Sequence, residues 1–184
     1  MRAVVLVEGV SDRVAVETLA ARRGRILQAE GVAVVSIGGA GNIGSALRRY
    51  GPQGLGARLA GLCDAGEELD FRRALEHAGL GTGLGRAEME RLGFYVCVDD
   101  LEDELIRALG VPAVEEVVAS QGELRAFRTL QKQPAQRERT TAAQLRRFLG
   151  THSGRKAQYA RALVEALDLD RVPPPLDRVL AHVT

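Results

Sequence analysis

Ala3-Val4-Val5-Leu6-Val7-Glu8-Gly9, running on into Val10-Ser11-Asp12-Arg13-Val14, is the stretch on which the fold turns. Its five apolar residues, rich in valine and cut off by Glu-Gly, read as a strand buried on both faces. Ser11 is placed to cap a following helix whose apolar residues Val14, Val16 and Leu19 fit helical spacing, with Asp12 in its first turn. A strand that leads straight into Glu-Gly and a helix sets Glu8 and Asp12 at the carboxyl rim of a parallel sheet, where open α/β sheets bind ligands. Each acid alone has a plainer reading, Asp12 as a complement to the helix dipole and Glu8 as a solvated loop residue.

Outward from this unit the pattern repeats. Val32-Ala33-Val34-Val35-Ser36-Ile37 is a second buried-strand candidate, followed by the loop Gly38–Gly44 and a helix through Arg48-Arg49. Leu59–Cys63 is a third, ending at Asp64, with Glu67 and Glu68 opening a helix that runs to about Ala78. After a glycine-rich loop and a short helix from Arg86 to Leu92, Phe94–Val98 is the fourth, ending at Asp99-Asp100-Leu101-Glu102-Asp103-Glu104. Strands alternating with helices imply βαβ units and a largely parallel sheet. Beyond Glu102 only helical patterns remain, over 101–109, 113–119, 121–130, 140–149, 153–167 and 174–183. Gln131 to Arg139 reads as a polar, mobile connection, and Pro173-Pro174-Pro175 ends one helix and can begin the last. The expectation is an α/β domain over 1–110 and a helical extension over 111–184.

The chain of 184 residues carries a net charge of only +1, which conceals a strong division. Residues 64–123 hold 15 acidic and 5 basic residues, whereas residues 125–161 hold 10 basic residues and one acid, Glu138. Such a division suits cations at one surface and a polyanion along the other, although charged helix faces are often merely solvated. Arg146-Arg147 and Arg155-Lys156 flank a polar hinge, Thr151-His152-Ser153-Gly154, in which Ser153 could cap the second helix. Basic residues at such a junction suit phosphate contact. Only 4% of residues are aromatic, too few for base stacking to be the main mode. Cys63 and Cys97, each near the end of an apolar run, read as buried thiols in a reducing cytoplasm. Neither a membrane span of about 18 apolar residues nor a signal-peptide pattern occurs.

Two constellations compete for the chemistry. One is the set of acids at strand ends: Glu8, Asp64 and Asp99-Asp100, with Asp12 and Glu102 reaching in from helices. Carboxylates gathered so closely raise one another's pKa unless a cation neutralises them, and an all-oxygen set suits Mg²⁺ or Mn²⁺. The other is Gly39-x-Gly41-x-x-Gly44 between a strand and a helix, with Asp64 twenty residues beyond Gly44, which fits a dinucleotide-binding fingerprint. That reading leaves Glu8 and Asp12 idle and follows the second strand, not the first, so a tight glycine turn is the better expectation.

Val7-Glu8-Gly9-x-Ser11-Asp12, Gly38-Gly39-x-x-Asn42 and Leu62-Cys63-Asp64 together resemble the TOPRIM domain shared by topoisomerases, primases and some nucleases. Leu101-Glu102, with Lys156 far downstream, is similar specifically to the nucleases of the OLD (overcoming lysogenisation defect) family. The resemblance implies a TOPRIM-like parallel sheet of about four strands and Mg²⁺- or Mn²⁺-dependent cleavage of DNA phosphodiesters. Within it Glu8 would bind metal and act as general acid or base, Asp12 and Glu102 would ligate a second metal, and Asp64 would open the Asp-x-Asp motif. Lys156 would neutralise charge on the scissile phosphate or leaving group, with Arg146, Arg147 and Arg155 along the DNA. The second acid of Asp-x-Asp is Gly66 here, for which Glu67, Glu68 or Asp100 could substitute. No Walker loop occurs in the chain, so the expectation is a nuclease standing without the family's ATPase domain, with a separate ATPase or a second copy as further partners. The alternative is a TOPRIM-like nucleic-acid- or nucleotide-binding protein with weakened cleavage or none.

Overall fold

The computed structural model describes residues 1–151 and 153–184. Four parallel strands, β1 (Ala3–Val7), β2 (Val32–Ser36), β3 (Arg58–Cys63) and β4 (Phe94–Val96), stand in the order β2-β1-β3-β4. Val7 lies level with Ser36 on one side and Leu62 on the other, so Glu8 and Asp64 leave neighbouring strands at the same edge. Strand residues alternate between two apolar layers, as the period of two requires. Val5, Val7, Ala60, Leu62 and Tyr95 face one, and Val4, Leu6, Cys63 and Phe94 the other.

The first layer is filled by α1 (Val10–Arg22) and by the helices that follow β4. These are α5 (Leu101–Leu109), α6 (Val111–Ser120), α7 (Leu124–Gln131), α8 (Thr141–Leu149), α9 (Ser153–Ala166) and α10 (Pro174–His182). The second layer takes α2 (Ile43–Tyr50), α3 (Glu68–His77) and α4 (Arg86–Arg91). Because α1 and α2 cover opposite faces, the strand order reverses between β1 and β3. That is the switch point at which open sheets form a ligand crevice. The division near residue 110 separates sheet-forming from all-helical sequence but not the packing, since Val5, Leu62, Leu163 and Leu176 share one core. Arg22 reaches from α1 to the carbonyls of Val164 (2.9 Å) and Leu167 (2.6 Å) and holds the end of α9 against α1. Among the described residues no helix is long and apolar enough to cross a membrane.

Four local expectations are corrected. Helix α1 begins at Val10 with Gly9, not Ser11, at its cap, and Asp12 Oδ2 accepts the Gly9 N–H at 2.8 Å. Strand β4 stops at Val96, two residues early, because the Val98 N–H turns aside to the buried Glu104 carboxylate at 2.8 Å. The connection from Gln131 to Arg139 is tied down: it holds a 3₁₀ turn at Pro134–Gln136, Gln136 is buried, and its carbonyl accepts from Gln144 Nε2 at 2.7 Å. Helix α2 starts at Ile43, ahead of the expected Ser45. The cap expected of Ser153 rests on its side chain, which lies outside what the structure describes.

Gly61 on β3 leaves room for the Phe94 ring of the neighbouring strand. A Cβ there would stand 2.5 Å from the Phe94 ring and 3.1 Å from the Leu6 carbonyl oxygen, and Phe94 is itself buried. Gly61→Ala should therefore destabilise the fold by roughly 1–3 kcal/mol, the usual cost of overpacking. A lower urea midpoint with unchanged slope is the expected result; an unchanged midpoint would show that Phe94 can yield without cost.

Candidate functional site

The rim acids are held by backbone clamps that join neighbouring strand ends. The Glu8 carbonyl accepts from the N–H groups of Gly38 (3.1 Å) and Gly39 (3.2 Å), and Ile37 N–H donates to Val7 at 2.9 Å. Gly38 and Gly39 take positive φ values of 74° and 112°, which makes this close return possible. Asn42 latches the loop by donating to the carbonyls of Ile37 (2.9 Å) and Gly38 (3.2 Å). The loop is thus a turn that braces Glu8. On the other side of the crevice, Cys97 N–H donates to Cys63 and Ala65 N–H to Asp99, fixing Asp64 beside the end of β4. Asp100 caps α5 through the Asp103 N–H at 2.8 Å, which sets Glu102 in the first turn of that helix.

These placements gather negative charge that the described residues leave partly unmet. Oε2 of Glu8 is buried and has no hydrogen-bond partner among the described residues. Burial first, then Glu67 and Glu102, raise the Glu8 pKa, against the pull of Lys156. Burial pushes Asp12 up to about 6, against the Gly9 N–H, with Glu102 and Glu8 adding to the rise. Asp64 is pushed up to about 7 by burial and then by Asp12, Asp100, Glu8 and Glu102. One cation answers directly: Lys156 Nζ lies 3.3 Å from Glu102. Burial disfavours its charge, but Glu102 and the neighbouring acids outweigh that and hold its pKa above the ordinary lysine value.

Beside the rim, α8 and α9 enclose a groove of about 380 Å³ lined by Asp100, Glu102, Arg139, Arg146, Arg147 and Lys156, with Ala143 and Gly150 completing its wall. The structure therefore brings Glu8, Asp12, Asp64, Glu102 and Lys156 into one electrostatic neighbourhood and sets Arg146 and Arg147 next to it. Asp100 is there too, but it is committed to Arg146, whose guanidinium lies 2.6 Å away. Arg155 points elsewhere: it pairs with Glu123 at 2.8 Å and lies over the Phe148 ring, 4.5 Å from its centroid. Of the acids that could stand in for the missing second Asp-x-Asp carboxylate, Glu68 is engaged three times by Arg86, whereas Glu67 is the charge that raises Glu8 most, after burial. Sequence reasoning missed Arg139 and the buried Glu104. The spacing of Arg139, Ala143, Arg146, Arg147 and Gly150 extends one helical stripe and could have signalled the first.

The donor set fits a hard divalent cation in its chemistry. It is all oxygen, one carboxylate oxygen is buried without a partner among the described residues, and two of the acids have pKa values raised by burial and then by like charge, the second of which an added cation would reverse. Among the described residues no three such side chains already stand as a closed ligand set, so an ion would have to draw them together.

Residues 1–65 match the family model of the "Overcoming lysogenization defect protein-like, TOPRIM domain". A search of curated proteins returns no significant match. Among solved structures, the C-terminal region of the Xanthomonas campestris pv. campestris OLD protein, phased with mercury, is similar at 25% identity. It covers 99% of this chain and 94% of its own, with a TM-score of 0.72. The same region phased with platinum gives 27% identity over 99% and 91%, with a TM-score of 0.71. The C-terminal region of the Burkholderia pseudomallei OLD protein, at 21% identity over 99% and 96% with a TM-score of 0.69, shares the fold. TOPRIM domains generally bind divalent metals and act on nucleic acids.

The raised acids give the metal-free protein a distinctive pH dependence. A carboxyl whose folded pKa lies above its unfolded value supports the fold fully below the unfolded pKa and loses that support as pH rises through the folded one. For Asp12 and Asp64, raised to about 6 and about 7, the window runs from about 4 to about 7. In EDTA the melting temperature should fall across that window, and Asp64→Asn should reduce the fall. Equal pH dependence in wild type and Asp64→Asn would remove Asp64 from the strained set.

Proposed function

With residues 1–65 matching an OLD-like TOPRIM domain and the whole chain folding as OLD C-terminal regions do, we propose that this protein is a divalent-metal-dependent DNA endonuclease. The observation that carries the reading is the buried, unpartnered Glu8 oxygen at the switch point, among acids whose charge the protein leaves unmet. Glu8, Asp12, Asp64 and Glu102 would hold Mg²⁺ or Mn²⁺, with Glu67 filling the place that Gly66 leaves and Asp100 fixing the rim from behind through Arg146. A divalent cation there supplies an activated water and charge stabilisation at the leaving oxygen.

The protein's own groups do the rest. Glu8, with its pKa already raised, is suited to take a proton from the attacking water or return one to the leaving oxygen. Water adds to phosphorus, the P–O bond to one sugar breaks, and the products are a phosphomonoester and a free hydroxyl. Lys156, kept charged by Glu102, is set to meet the negative charge that develops as that bond breaks. The groove between α8 and α9 would seat the backbone beside the rim, with Arg146 and Arg147 on its wall. Arg155 would serve it indirectly, by fastening α9 to Glu123 and Phe148. A second reading, DNA binding without cleavage, is favoured by one observation, the glycine at position 66.

Supercoiled plasmid incubated with the protein separates the two. Cleavage is expected with Mg²⁺ or Mn²⁺ and not with EDTA, and Glu8→Gln should abolish it. Lys156→Ala should lower turnover at saturating DNA by about a hundredfold or more, as for other transition-state charge partners, while leaving affinity nearly intact. A wild-type protein that binds plasmid but leaves it uncut under every metal would establish the non-cutting reading; Lys156→Ala at the wild-type rate would make Lys156 a phosphate anchor only.

A further inference from the structure

The cations of the groove divide by partner. Arg146 is engaged by Asp100 at 2.6 Å and by Asp99 at 3.6 Å, and Lys156 by Glu102 at 3.3 Å. Arg139 and Arg147 line the same groove, are exposed, and have no carboxylate partner among the described residues. They come from the two ends of one helix. Arg139 precedes the Thr140 cap of α8 and Arg147 lies in its last turn, while Gln144, Leu145, Phe148 and Leu149 turn the opposite face into the core. Between them the wall carries Ala143 and the Asp100-paired Arg146, and Gly150 follows Arg147, so small side chains at 143 and 150 keep the floor open. Gly150 lies alongside Lys156, whose Cε would stand 3.7 Å from a Cβ at that position. The unpaired arginines thus share a cavity with the lysine set for the reacting phosphate.

We propose that Arg139 and Arg147 form a two-pronged anchor for a DNA backbone phosphate next to the scissile one, with Arg146 held back as the internal counter-ion of the rim. The proposal rests on the nuclease reading above and adds to it which cations hold the DNA. A guanidinium presents paired N–H donors that match phosphate oxygens, and two from opposite ends of α8 grip a strand lying along the groove. Arg146 could join only by leaving Asp100, which would uncover a second acid at a rim already short of cations.

The test is the affinity of a fluorescein-labelled 20-base-pair duplex at several salt concentrations, read by anisotropy in EDTA, with plasmid cleavage followed separately. Arg139→Ala and Arg147→Ala should each weaken binding about tenfold, as loss of one charged contact does, and each should lower the salt slope by about one. Arg161→Ala, an exposed basic change outside the groove, should alter neither. Ala143→Glu, which removes no arginine but puts a carboxylate on the floor, should weaken binding as the arginine variants do. If both arginine variants and Ala143→Glu bind as wild type does while wild-type protein binds and cuts DNA, the anchor is overturned and the nuclease reading stands. If Arg146→Ala alone lowers the salt slope, the roles of the neighbouring arginines are reversed and the proposal fails. If wild-type protein neither binds the duplex nor cuts plasmid, both readings fall together.

Discussion

Like charges gathered in a half-buried crevice are the constraint around which this molecule is arranged. Glu8, Asp12 and Asp64 sit where the strand order reverses, and each is raised first by burial and then by acidic neighbours. Such an arrangement opposes folding at neutral pH and persists only because the surrounding structure determines it. The determinants are visible: three chain segments end at one edge, and backbone hydrogen bonds tie Glu8 to the loop after β2 and Asp64 to the end of β4. None of those bonds involves the carboxylates, so the strain is imposed by main chain and left for charge to relieve.

The helical half supplies that relief and is positioned by the same core. Apolar side chains from β1, β3, α1, α9 and α10 merge into one cluster, and Arg22 fastens α9 to α1 at the level of Val164 and Leu167. Lys156, one turn into α9, is thereby delivered to Glu102 by packing that begins at the sheet. Arg146 is delivered from α8 to Asp100 in the same way. Two ion pairs thus tie the N-terminal end of α5 to α8 and α9, and each consumes one acid of the rim. The partly exposed cations contribute little to stability on their own terms; their effect is to set which acids remain unanswered. Glu8 with its orphaned oxygen remains, as do Asp12, Asp64 and Glu67, none of which has an ion-pair partner among the described residues.

Much of this was legible in the sequence because it follows from period and position. Apolar runs located the strands, the acids that follow three of them located the rim, and apolar spacing located the helices after Leu101 to within about three residues. What was not legible depends on pairings between distant segments. Arg146 and Arg147 are identical neighbours, yet only one meets Asp100. Arg155 and Lys156 are also adjacent, and one packs on Phe148 while the other faces Glu102. Residues one step apart on a helix point about 100° apart, so which of two adjacent cations faces an acid is decided by the tertiary roll of the helix. Glu104 was hidden for a related reason: in a run of five acids nothing marks the one that turns inward to take the Val98 N–H. The connection from Gln131 to Arg139 looked mobile because it is polar, but Gln144 of α8 ties it down by accepting from Gln131 and donating to the Gln136 carbonyl.

The same geometry makes the net charge of +9 on residues 125–161 a poor measure of the cations left free there. Counting charge treats every arginine as available to a polyanion, whereas the structure has already neutralised several. Arg155 is held by Glu123, Arg128 by Glu115, and Arg146 by Asp100. Each pairing removes a cation from the approach side and, in the case of Arg146, removes it in favour of the rim. Two of the cations without a carboxylate partner among the described residues, Arg139 and Arg147, share the groove with Asp100 and Glu102 and concentrate positive charge there, while Arg125, Lys132, Arg137 and Arg161 are left unpaired outside it. Focusing of this kind needs no long-range complementarity, because at ordinary ionic strength screening confines it to about 10 Å. The internal ion pairs of the lobe therefore decide which of its cations stay free, and two of those lie in the groove beside Asp100 and Glu102.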